Sequence, residues 1–186
     1  MQEKWLVSLG HKKKRGKDEV AKHMRKYNFE RYAIADELKH LCMQIYDLSY
    51  EQCWGSEKEV VDIRYGITPR QILQEFGQEQ CARCPSIWCK ILGRKILKNV
   101  SPLVVVTDMR KPEELYFLSE FAFTHRYRFV SIRIDRDLPA DEFSNHISET
   151  ALDHYEDWDL IIKNESTIAK LQEQIDTFLH SINISK

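Results

Sequence analysis

The chain has 186 residues, 28 of them basic and 29 acidic, for a net charge of −1. That length fits one domain able to bury about 70% of its unfolded surface, and the near-zero balance excludes a general attraction for nucleic acid, so cations must act locally in a pocket. No apolar run approaches the roughly 18 residues of a membrane span, and the start Met-Gln-Glu-Lys is unlike a signal peptide, which leaves the cytoplasm as the expected setting.

Short β-rich apolar runs alternate with helix-like segments, the pattern of a parallel sheet covered by helices. The first strand is expected over Lys4–Leu9. It leads into Gly10, the basic turn His11-Lys-Lys-Lys-Arg15, Gly16 and Lys17, with a helix beginning within Asp18–Tyr27. An apolar strand, a glycine-bracketed basic turn, a Gly-Lys pair and a helix, in that order, make a phosphate-binding loop. Glycine lets the backbone approach a phosphate, the amides of the helix start favour anions, and the Lys17 ammonium reaches the terminal phosphates as a point charge. Two features depart from the usual pattern: five residues rather than four separate the glycines, and Asp18 replaces the Ser or Thr that ligates magnesium. A carboxylate can hold that ion through water. The rival reading of His11–Arg15 is a solvated turn or a nucleic-acid contact.

A second strand is expected over Arg31–Ala35, followed by a mostly helical stretch from Asp36 to Lys98. Within it Thr68 and Pro69 read as N-cap and first helical residue and Gly77 as the stop, which sets Arg70 in the first turn. A further helix after Pro85 carries Trp88. Five cysteines, an odd number, argue against a disulfide framework. Cys81, Cys84 and Cys89 lack the second Cys-x-x-Cys doublet usual in structural zinc sites, so free thiols stand as the rival to zinc. The run Leu103-Val-Val-Val-Thr107 is apolar without alternation, as for a strand buried on both faces, and it ends at Asp108. Ligands of such sheets sit outside the carboxyl ends of the strands, so Asp108 and the Gly10 loop are expected to share one site. Strands over Tyr127–Ile134 and Leu160–Lys163 complete the sheet. The polar segment Asp135–Tyr155, broken by Pro139, reads as a lid.

Gly16-Lys-Asp18, Ala35-Asp-Glu-Leu-Lys39, Thr68-Pro-Arg-Gln-Ile-Leu-Gln74, Trp88, Thr107-Asp-Met-Arg110 and His146-Ile-Ser-Glu149, in this order, resemble the phage-type deoxynucleoside monophosphate kinases. Animal-type phosphomevalonate kinases are similar in scaffold and in the Gly-Lys-Asp loop. The resemblance implies an α/β, three-layer αβα P-loop NTPase fold with a parallel five-stranded sheet. It implies a single kinase domain over 1–186, with a helical acceptor-binding insertion (36–98) and a lid (135–155). The implied activity is transfer of the γ-phosphate of ATP, with Mg2+, to a (deoxy)nucleoside 5′-monophosphate, as in deoxynucleotide biosynthesis. The implied partners are small nucleotides, in the cytoplasm or, if phage-encoded, in that of the host, with a homodimer left open.

By the same resemblance Lys13, Lys14, Arg15, Gly16, Lys17, Asp18 and Glu19 would bind ATP, and Asp18 with Asp108 would hold the metal. Arg70, Gly77, Gln78, Trp88, Asp108, Arg110 and Glu114 would meet the acceptor. The chain departs from the family at Gln78, where Thr is common, in an arginine displaced to Arg83, and in a missing insertion between Asp47 and Gly66. Phosphoryl transfer needs positioning and charge neutralisation more than covalent chemistry, and a phosphomonoester with a second pKa of about 6 needs no general base at neutral pH. Lys17, Asp18, Arg110, Arg133 and Arg136 are therefore the candidate catalytic residues.

Plainer roles compete with these. Trp88 shares helical spacing with Ile87, Ile91 and Leu92 and suits a core as well as a base platform. Asp108 and Asp36 could cap helices, Lys39 could lie on an exposed face, Arg133 could be the solvated side of a strand, and His146 and Glu149 could order the lid. The competing functions are a phosphomevalonate-like phosphoester kinase and a nucleotide-binding module without transfer activity.

Overall fold

Trp5–Gly10 is buried at every residue, which a strand sustains only with partners on both edges and helices on both faces. In the computed structural model, which describes residues 3–139 and 150–185, this segment is β1, the middle strand of a sheet. With β2 (Glu30–Tyr32), β3 (Leu103–Met109), β4 (Arg128–Asp135) and β5 (Leu160–Lys163), the order is β2-β3-β1-β4-β5. All four pairings are parallel. The helices are α1 (Lys17–Met24), α2 (Ile34–Tyr46), α3 (Tyr50–Cys53), α4 (Pro69–Arg83), α5 (Ile87–Asn99), α6 (Pro112–Thr124) and α7 (Ile168–Ser181). The α/β class and the parallel five-stranded sheet are those expected from the alternation of elements. The second strand is shorter than expected, because Ile34 and Ala35 join α2, where Asp36 and Glu37 in the first turn suit the positive end of the helix dipole.

The chain divides into two compact units, Met1–Ala33 with Gly93–Lys186, and Ile34–Leu92. In the first, Val20, Ala21 and Met24 of α1 and Leu171, Ile175 and Leu179 of α7 share a core with Val7, Leu9, Val105, Ile132 and Ile162 of the sheet. Each such aliphatic side chain contributes about 1.5–3 kcal/mol when fully buried. Leu115, Leu118, Phe121 and Ala122 form the buried stripe of α6. His23 and Tyr27 both reach Asp176, at 2.5 and 2.6 Å, and tie the α1 region to α7.

The second unit is helical. Cys42, Leu48, Cys53 and Ile72 form its centre, with Leu38, Tyr46, Trp54 and Phe76 packed around them. Thr68 caps α4 as expected, accepting from the Gln71 amide while the Gln71 side chain returns to the Thr68 amide. Gly77 does not stop this helix, which runs on to Arg83. Its missing side chain instead admits Leu38, whose Cδ2 would lie 3.1 Å from a Cβ there. A helical glycine costs about 1 kcal/mol relative to alanine, and this close approach is what the glycine allows.

Asp62 of this unit is buried. It accepts the Arg64 guanidinium at 3.0 and 2.7 Å, the Arg64 amide at 3.0 Å and Gln52 Nε2 at 2.9 Å. The Arg64 guanidinium, above all, holds its carboxyl well below the usual carboxylate range. A folded-state pKa below the unfolded one gives stability that is complete above about pH 4 and is lost as pH falls toward the folded value. Asp62→Asn is therefore expected to melt below wild type at neutral pH, with the gap narrowing progressively below about pH 4. Melting curves across that range, followed by circular dichroism, would reject the ionic contribution if the gap stayed constant.

Candidate active site

The loop between β1 and α1 takes its shape from backbone conformations that most side chains avoid. His11 and Lys14 have φ of 77° and 60°, and Gly16, the residue before α1, has φ 108° and ψ 9°. Gly10 is equally constrained by space: a Cβ would come within 2.4 Å of Trp158 Cη2 and 2.5 Å of Met109 Cε. At Gly16 a Cβ would meet Asn164 Nδ2 at 2.6 Å. That same Nδ2 donates to the Arg15 carbonyl at 2.9 Å and pins the loop from the end of β5.

No side chain caps α1. By contrast Ser49, Thr68 and Thr167 each accept from the amides at the starts of α3, α4 and α7. The first amides of any α-helix lack partners within it and carry partial positive charge, so the start of α1 is the one left for an anion among these four. Lys17 is 7% exposed, and its Nζ donates to the His11 carbonyl at 3.1 Å and to the Lys12 carbonyl. Asp18 is exposed on the first turn, and Glu19 lies 3.8 Å from Lys22. Lys13 and Arg15 are half-buried and Lys14 is exposed.

Around the loop stand further charged groups, among them Asp153, which the sequence reading did not single out. His11 Nε2 donates to Asp153 Oδ1 at 2.8 Å and Lys12 Nζ to Asp153 Oδ2 at 3.0 Å. Burial pushes the Asp153 carboxyl up, but the bonds from Lys12 and His11 outweigh it and hold the group below its ordinary value. Burial, helped by the charges of Arg133 and Lys12, lowers the His11 imidazole despite the bond to Asp153. Arg133 is half-buried and donates to Asp135 at 2.7 Å, so it is not simply the solvated side of β4. Arg136 is exposed just beyond that strand.

β3 runs beside β1 with Gly10 opposite Met109, which puts half-buried Asp108 and Arg110 at the same sheet edge as the loop. Glu114 Oε2 accepts the amides of Arg110 at 2.8 Å and Lys111 at 3.1 Å, as part of the cap of α6. Burial, and to a lesser extent the charge of Asp108, push Glu114 up to about 7 against the pull of those amides.

The remaining acceptor-side residues belong to the unit Ile34–Leu92. Arg70 lies in the first turn of α4 and its Nε donates to Glu59. Gln78 is exposed. Trp88 is 8% exposed, and its indole N–H donates to the Gly77 carbonyl at 3.3 Å, beside Phe76. That is the geometry of a satisfied core tryptophan. Asp36 accepts the Trp54 indole N–H at 3.2 Å, and Lys39 lies over the Trp54 ring at 5.0 Å, so both serve packing within this unit. His146 and Glu149 lie outside the described residues.

No family model matches the chain. A protein of Acanthamoeba polyphaga mimivirus named "Putative deoxynucleotide monophosphate kinase" is 29% identical over 187 residues, 91% of this chain and 93% of that protein. Among solved structures, shikimate kinase from Aquifex aeolicus vf5 matches with TM-score 0.50 and 19% identity, over 97% of this chain and 99% of that one. Mycobacterium tuberculosis APS kinase CysC, in complex with AMPPNP and APS, matches with TM-score 0.51 and 12% identity, again over 97% and 99%. The fold is that of the P-loop kinases. Gly10–Lys17 occupies the strand-to-helix turn from which P-loop proteins take their name.

Three residues that support the Gly10–Gly16 loop escaped the sequence reading: Asp153, Trp158 and Asn164. Asn164 directly follows β5 at the carboxyl edge of the sheet, so the reasoning that singled out Asp108 applies to it as well. Asp153 and Trp158 carry no comparable local signal. For Mg2+, Asp18 on the first turn of α1 and Asp108 at the end of β3 would be the residues to hold it, carboxylates being the hard oxygen donors that the ion takes. The five cysteines form no disulfide, and among the described residues no three His, Cys, Asp or Glu side chains converge on a dedicated metal site.

Proposed function

We propose that this chain is an ATP-dependent kinase that transfers the γ-phosphate to a nucleoside or deoxynucleoside 5′-monophosphate and releases the diphosphate. The observation that carries this reading is the start of α1, where a left-handed Gly16, uncapped amides and the Lys17 ammonium converge at the sheet edge. The name of the mimivirus relative supports a nucleotide monophosphate as acceptor. Trp88, buried and bonded to Gly77, is better read as core than as a base platform.

In this mechanism the amides of the P-loop and α1 take the β and γ phosphates, with Lys17 as a point charge on them and Lys13, Lys14 and Arg15 lowering their repulsion. Asp18 and Asp108 would hold Mg2+, which when bound neutralises phosphate charge. Arg110 grips the acceptor phosphate with its forked donors. Glu114 holds the Arg110 backbone rather than the acceptor itself. Arg133 and Arg136 supply cations to the peripheral oxygens as the phosphoryl group moves in line. The acceptor is a dianion at neutral pH and attacks without a general base.

A coupled assay of ATP with each common ribo- and deoxynucleoside monophosphate, and with phosphomevalonate, tests the reading. Turnover of at least one nucleoside monophosphate is the expected outcome. Turnover confined to phosphomevalonate would replace the acceptor, and absence of both turnover and ATP binding would overturn the proposal.

A further inference from the structure

We propose that Asp153 is a positioning residue for ATP: through His11 and Lys12 it fixes the shape of the Gly10–Gly16 loop and so sets affinity for the triphosphate. This rests on the reading of that loop as the ATP site. The loop carries His11, Lys12, Lys13, Lys14, Arg15 and Lys17 within seven positions, and like charges so close together drive a chain apart. It also holds His11 at a φ of 77°, a conformation that side chains other than glycine adopt only when their surroundings over-determine it.

Those surroundings are specific. The His11 side chain is buried at 5% exposure, and its Nε2 donates to Asp153 Oδ1 at 2.8 Å. Its carbonyl is held from the other side by Lys17 Nζ at 3.1 Å. Lys12 repeats the arrangement, its carbonyl taken by Lys17 and its ammonium by Asp153, with Nζ 3.0 Å from Oδ2 and 2.9 Å from Oδ1. Two consecutive loop residues thus converge on the two oxygens of one carboxylate, 142 positions away from His11. On its far side the imidazole meets β4, with Nδ1 3.5 Å from Asp135 Oδ1, the oxygen that also receives Arg133. Nδ1 is buried without a hydrogen bond there, so the bond to Asp153 is what orients the ring.

The platform under Asp153 is itself anchored. Leu152 is 1% exposed, the Asp153 amide donates to Thr150 O at 3.0 Å, and Tyr155 N donates to Leu152 O at 3.2 Å. Trp158 packs on Gly10 at the other end of the segment, its indole N–H donating to Tyr155 O at 2.9 Å. Asp153 does not need to touch ATP to act. It withdraws the Lys12 ammonium from its neighbours and keeps the loop in one conformation before the ligand arrives, which lowers the ordering cost of binding.

The test compares wild type, Asp153→Asn and Asp153→Ala in two measurements. Hydrogen exchange of the ligand-free proteins reads the amides of residues 11–16, and steady-state kinetics gives KM for ATP and for the acceptor separately. Asp153→Ala should speed exchange in the loop and raise KM for ATP at least about tenfold, while KM for the acceptor changes less than about twofold. The isosteric Asp153→Asn keeps an oxygen for His11 but loses the charge beside Lys12, and should fall between the two. Unchanged exchange and ATP KM in both variants, or equal rises in both KM values, would overturn the role. A wild-type protein that binds no ATP would defeat the kinase reading instead, and the exchange arm would still report whether Asp153 orders the loop.

Discussion

Lys17→Met is expected to lower turnover by about 10²–10³-fold at saturating substrates, the scale of losing one preorganised donor at a developing charge, or about 2.7–4 kcal/mol. The side chain keeps most of its length and loses its charge. In the ligand-free protein that charge bonds the carbonyls of His11 and Lys12, so the substitution also leaves those groups to water. Loss of a typical hydrogen bond costs about 1 kcal/mol, which lowers Tm by roughly 2–4 °C in a chain of this size. A melt and a transfer assay on the same preparation separate the two effects. A folded variant with wild-type turnover would remove Lys17 from the mechanism.

The second large effect is expected at Gly16. An alanine there must hold φ 108° and ψ 9°, which costs roughly 1–2 kcal/mol outside glycine. Its Cβ would also press on Asn164 Nδ2 at 2.6 Å, against the bond that side chain makes to the Arg15 carbonyl. Losing that bond adds about 0.5–1.5 kcal/mol. With that strain on the conformation that ATP requires, Gly16→Ala raises the Kd for ATP about 10–300-fold, at 1.4 kcal/mol per tenfold. Gly66→Ala is the control. Gly66 also has positive φ, at 69°, but nothing lies within 4 Å of its would-be Cβ. It should lower Tm and leave ATP affinity alone, and equal ATP effects from both substitutions would reject the loop-specific explanation.

What could be read from the sequence was local. The buried run of β1, the glycine-bracketed loop, the unbroken apolar run of β3 and the Thr68–Pro69 helix start all rest on neighbours within a few positions, where propensity and capping act. Gly77 was misread because a glycine that ends a helix and one that admits a neighbouring Leu38 are identical in sequence. The end of β2 moved because Ile34 and Ala35 suit a strand or a helix equally, and the acidic residues after them decided. Asp153, Trp158 and Asn164 reach the loop from about 150 positions away, and no spacing rule links such residues before the sheet order is known. Trp88 had two readings, and its burial with a satisfied indole N–H favours the plainer one.

The resting bonds of Lys17 bear on how tightly a nucleotide can be held. Because the ammonium bonds two backbone carbonyls of the loop, a polyphosphate would not meet a bare cation; it would have to compete with them. On the kinase reading, recognition at this position is then a swap of partners, and its yield is the difference between two sets of oxygens. Such a difference would keep affinity moderate and would favour release over tight retention.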